Sequence, residues 1–73
     1  MKKAIYSGDH RYLVKQLKKA REESGLDQNK VAQLLGRTQS YVSKIESGQR
    51  RLDIVQLKEF AKIYKKELSY FIR

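Results

Sequence analysis

Gln39, Ser40, Ser43 and Lys44 stand at helical spacing on the side away from Val42 and Ile45. A carboxamide, two hydroxyls and an ammonium can pair with the donors and acceptors on base edges in the major groove of duplex DNA. Any solvated helix can carry the same groups, so the elements that hold them decide the matter. Thr38 offers a hydroxyl cap for a helix over residues 39–47, and Gly48 falls where that helix must end. Upstream, Asp27 can cap a helix from Gln28 to Leu35, and Gly36 follows where a helix end wants positive φ. Val31, Leu34 and Leu35 give this helix an apolar stripe to set against Val42 and Ile45. Ala32 sits where two crossing helices come closest, so its small side chain lets the axes approach.

The composition narrows the choice of partner. A chain of 73 residues makes one small domain, burying roughly 60% of the surface its unfolded form exposes, too little for a large enclosed active site. Lys and Arg number 17 against 8 Asp and Glu, a net charge of +9. That exceeds the roughly 2 to 8 that solubility alone requires and points to a polyanion. With no cysteine there is no disulfide framework and no thiolate metal site, which fits a reducing cytoplasm. His10 alone cannot build a metal cluster, and no nucleophile comes paired with a base. No enzyme activity, metal or cofactor is expected. The apolar run in Met1 to Tyr6 ends too soon for a secretory signal, and no stretch approaches the roughly 20 apolar residues of a membrane span.

The remaining elements frame the central pair. A helix is expected from Asp9 through Ser24, with Leu13, Leu17 and Ala20 on one face and Val14 beside them. Arg21 falls on that same side, where it either finds a partner or runs its guanidinium out to water. Lys15, Lys18 and Lys19 form a solvated face. After Gln49, Arg50 and Arg51, Asp53 and Gln56 have the spacing of a capping box. Ile54, Leu57, Phe60, Ala61 and Tyr64 then recur at helical intervals, predicting a fourth helix that ends near Lys65. Leu68 to Ile72 leaves room for one last turn, with Leu68 and Phe71 closing the core. Ile63, Tyr70 and Ile72 are left with no inward duty and mark a candidate partner surface.

Gln28, Ala32, Gly36, Val42 and Ile45 occupy the five positions that define the helix-turn-helix of phage repressors and Cro proteins. With Gly25-Leu26-Asp27-Gln28, with Ser40-Tyr41-Val42-Ser43-Lys44-Ile45-Glu46-Ser47-Gly48, and with the arginines that follow, the chain resembles the xenobiotic-response-element (Cro/C1-type) family of bacterial regulators from about Leu13 to Ile72. The resemblance implies an all-α, compact five-helix DNA-binding domain, usually a homodimer, whose third helix enters the major groove. By the same resemblance Gln39, Ser40 and Lys44, with Ser43 as a fourth, contact bases. Gln28 donates to a phosphate and braces Gln39. Tyr41 touches backbone or a thymine methyl, Arg50 and Arg51 grip phosphates, and Lys30 and Arg37 flank the turn. Arg21 is implied to pair with Glu46 in a buried salt bridge.

Three positions depart from the family pattern: Leu52 stands where proline is frequent, Lys65 and Lys66 replace a glycine and an apolar residue, and Arg37 replaces a small or apolar turn residue. Residues 1–9 lie outside the match and are assigned to an N-terminal arm, with residues 10–73 as the DNA-binding domain. The expected function is a sequence-specific regulator of transcription, a repressor, cytoplasmic and bacterial or phage-encoded. The alternative is an antitoxin or other protein-interaction module whose toxin partner binds the tail or the fourth helix.

Overall fold

The computed structural model describes residues 8–73. Four α-helices follow one another: α1 (Gly8–Glu23), α2 (Gln28–Leu35), α3 (Gln39–Glu46) and α4 (Ile54–Tyr64). A single 3-10 turn, Leu68–Tyr70, comes last, and there is no strand among the described residues. α1 begins one residue before its expected start at Asp9, so that Gly8 and Asp9, the last two residues assigned to the arm, form its first turn. The rest of that arm, residues 1–7, lies outside the described residues.

The boundaries follow from local chemistry. The Asp27 carboxylate accepts from the Lys30 backbone N–H at 2.8 Å, and the Thr38 hydroxyl from that of Tyr41 at 3.2 Å. Each satisfies a donor that the first turn of a helix leaves unpaired. Gly36 ends α2 with φ 70°, and the next amide, of Arg37, returns to the Ala32 carbonyl at 2.9 Å. In α4 the Asp53 side chain accepts from the Gln56 amide while the Gln56 side chain accepts from the Asp53 amide, a complete capping box. The helix then ends on Lys65 in the left-handed conformation, φ 58°, where the resembled family uses glycine. A side chain there costs roughly 1 to 2 kcal/mol of local strain.

All four α-helices feed one core. Leu17 and Ala20 of α1 meet Val31 and Ala32 of α2, Val42 and Ile45 of α3, and Leu57, Phe60, Ala61 and Tyr64 of α4. Phe71 closes the far end with only 1% of its surface exposed. Burial of a side chain such as Phe60 or Phe71 contributes roughly 1.5 to 3 kcal/mol.

Several expectations need correction. Leu34 is 53% exposed rather than part of the α2 stripe. Val31, Ala32 and Leu35 set the inward direction of that helix, and Leu34 lies on the flank beyond Val31. Ile54, the first residue of α4, projects past the edge of the core and is 55% exposed. Ile63 and Tyr70 are partly buried against this chain's own core, so only Ile72 of the three supposed surface residues stays out. The fifth helix is not an α-helix. Its short i to i+3 bonds are a geometry suited to such brief segments, and the Tyr70 carbonyl is taken by Gln16 Nε2 of α1 at 3.0 Å.

Candidate nucleic-acid interface

The two central helices are locked by polar side chains as well as by core packing. Arg21, in the last turn of α1, donates from Nε to Glu46 Oε2 at 2.8 Å and from Nη2 to Oε1 at 3.2 Å. Its third donor, Nη1, reaches the Leu26 carbonyl at 2.9 Å. Gln28, which opens α2, donates from Nε2 to the same Glu46 Oε1 at 3.1 Å. Gln39, which opens α3, donates from Nε2 to Gln28 Oε1 at 3.3 Å. One continuous chain of hydrogen bonds thus joins the buried end of α1 to the exposed first residue of α3.

The Arg21 and Glu46 side chains are 13% and 4% exposed. Their hydrogen bond raises the Arg21 pKa further above its ordinary value, so the guanidinium stays charged despite its burial. Burial first, and the Glu46 carboxylate second, push the neighbouring Tyr64 phenol up and keep it neutral.

On α3 the division of faces is complete. Tyr41, Val42 and Ile45 are buried, whereas Gln39, Ser40, Ser43 and Lys44 are all exposed. These four share one outward surface on a helix whose inner side is fixed. Beside it lies an open cleft of about 420 Å³ lined by Arg37, Thr38, Ser40, Tyr41, Lys44 and Arg50. Three cations therefore border the outward end of α3.

Tyr41, which the resemblance sets against DNA backbone or a thymine methyl, is a buried residue of α3. Its ring stacks on Phe60 with centroids 6.3 Å apart and planes at 11°, and the residue is 8% exposed with its hydroxyl enclosed. A phenol so placed is not presented to a phosphate. Burial raises its pKa against the opposing pull of Arg37 and Arg50. Those two guanidiniums lie over the ring at 4.9 and 5.0 Å from its centroid, within the range of cation–π attraction. Tyr41 acts as a platform that gathers two arginines from the segments flanking α3, Arg37 before it and Arg50 after it. The inward position was available from spacing, because Tyr41 lies four residues before Ile45 and one before Val42.

The other predicted residues divide. Gln28 is half-buried in the polar chain just described, and Lys30 is exposed on α2. Arg51 does not join Arg50. It lines a separate cleft of about 270 Å³ with His10, Leu13, Phe71 and Arg73. Thr38 is a lining residue of the cationic cleft that the sequence reading treated only as a cap.

Comparison with known proteins agrees with this arrangement. A family model described as helix-turn-helix matches residues 17–71. Among solved structures, the chain is similar to the restriction-modification controller protein C.AhdI from Aeromonas hydrophila, at 30% sequence identity and a TM-score of 0.79. That match covers 88% of this chain and 93% of the other. No curated protein matches the sequence.

Proposed function

The chain belongs to the helix-turn-helix family of DNA-binding transcriptional regulators, and on that premise we propose that α3 lies in the major groove of duplex DNA and reads bases with Gln39, Ser40, Ser43 and Lys44. The observation that carries this reading is the separation of faces on α3, with every polar side chain of that set outward and Tyr41, Val42 and Ile45 inward. Arg37 and Arg50, gathered on Tyr41, bind the phosphates at the groove's edge. Lys30 and Gln28 approach the backbone from the start of α2. Arg51, which lines a different cleft, adds long-range attraction to the duplex rather than a contact beside α3.

The acting species in this proposal is a homodimer. One recognition helix reads about four or five base pairs, and two-fold symmetry doubles the site while spacing half-sites about 34 Å apart or a multiple of it. Ile54, Val55 and Ile72 supply exposed apolar surface for such an association. Repression is the outcome we propose, because occupying a promoter blocks it by itself. Selection of bound sites from random duplex DNA tests the proposal. The expected product is an inverted repeat with two protomers bound. Selected sites with no shared sequence would remove the reading role, and one protomer on a single half-site would remove the dimer.

A further inference from the structure

The hydrogen bonds from Arg21 to Gln39 have a direction, and that direction reaches the exposed end of α3. Arginine offers only donors, and an ionised carboxylate only acceptors. With Arg21 on one side, Glu46 turns an oxygen toward Gln28, so Gln28 must answer with its amide nitrogen. The Gln28 oxygen is then left facing Gln39, which must also answer with nitrogen. Of the Gln39 amide, the carbonyl oxygen and one N–H remain for the groove. Adenine presents the matching pair, the N6 donor and the N7 acceptor. In the opposite sense the Gln39 oxygen would be held by Gln28, leaving only N–H donors, which suit O6 and N7 of guanine.

We propose that Glu46 is a specificity-determining positioning residue: through Gln28 it fixes the sense of the Gln39 amide and so selects adenine over guanine at the base pair Gln39 faces. Glu46 touches no base itself. The inference rests on the reading of α3 as the recognition helix and adds to it the residue that sets the sense of the Gln39 amide.

Glu46→Gln preserves the shape of the side chain but replaces one acceptor with a donor. Its remaining carbonyl stays with Arg21 Nε, the shorter of the two contacts at 2.8 Å, so its amide nitrogen takes the place of Oε1, giving up the 3.2 Å contact with Arg21 Nη2 and turning a donor to Gln28. Both downstream amides then reverse. Gln28→Met cuts the chain of hydrogen bonds while leaving the Arg21 and Glu46 contacts in place, and so provides a second variant on an intact ion pair. Binding is measured for the full chain, each variant and Gln39→Ala, on the selected site and on versions carrying each of the four base pairs at every position.

The expected result for Glu46→Gln is a loss of about tenfold or more in the preference for adenine over guanine at one position, with preferences elsewhere unchanged. Gln28→Met should flatten the same position without reversing it, and this arm stands even if Glu46→Gln does not fold. If Gln39→Ala erases the preference at a position while Gln28→Met, and Glu46→Gln where it folds, leave it intact, α3 still reads DNA and the role of Glu46 is overturned. If Gln39→Ala alters no position, the recognition-helix reading itself fails.

Discussion

Arg21 with Glu46 and Arg73 with Asp9 both tie α1 to a distant part of the chain by an arginine–carboxylate contact, but in opposite surroundings. The first joins the end of α1 to the end of α3 at 2.8 Å, with side chains 13% and 4% exposed. The second joins the start of α1 to the C-terminal residue at 3.3 Å, with side chains 56% and 83% exposed. In the first, each charge depends on its partner because water cannot replace it. In the second, water and salt compete throughout. Burial therefore turns one contact into a structural commitment between α1 and α3 and leaves the other a weak surface restraint.

Breaking the buried contact should give the largest effect. Arg21→Met or Glu46→Leu alone should cost about 3 to 5 kcal/mol by leaving a charge without its partner, whereas the double variant should recover most of that loss. Thermal and urea melts of the three variants measure it. Small additive losses would mean that the pair behaves as the surface one does. At the other end, Arg73→Ala should cost no more than about 1 kcal/mol, and the loss should vanish in high salt. Lys66 with Glu23, at 3.3 Å and with side chains 31% and 48% exposed, belongs with this weaker class.

The same contrast explains what was legible in the sequence. Asp27, Gly36, Thr38 and the Asp53 with Gln56 box act within three or four residues of themselves, so type and spacing located α2, α3 and the start of α4. Ends that depend on distant contacts were less visible. The Tyr70 carbonyl bonds to Gln16, 54 residues away, and the last turn is 3-10 where a fifth helix was expected. Leu34 and Ile54 have the right residue type, yet their exposure depends on where the core runs out. At the interface, the outward set on α3 was readable from periodicity, and the resemblance supplied the Arg21 with Glu46 pair and the Gln28 brace on Gln39. The link between them, Gln28 to Glu46, was not foreseen. It depends on how closely the start of α2 approaches the end of α3, which no spacing records. The gathering of Arg37 and Arg50 on Tyr41 was missed because it needs Phe60 behind the ring.

The most direct test of the account compares binding isotherms of Gln39→Ala, Lys44→Ala and Arg50→Ala on selected and scrambled duplexes at several salt concentrations. If the outward face of α3 reads and the flanking arginine grips, Gln39→Ala and Lys44→Ala should each cost about 1 to 3 kcal/mol on the selected duplex and little on the scrambled one. Arg50→Ala should weaken both alike and lower the slope of log K against log salt by about 0.9. Equal losses on both duplexes for Gln39→Ala and Lys44→Ala would contradict the assignment of α3 as the reading element.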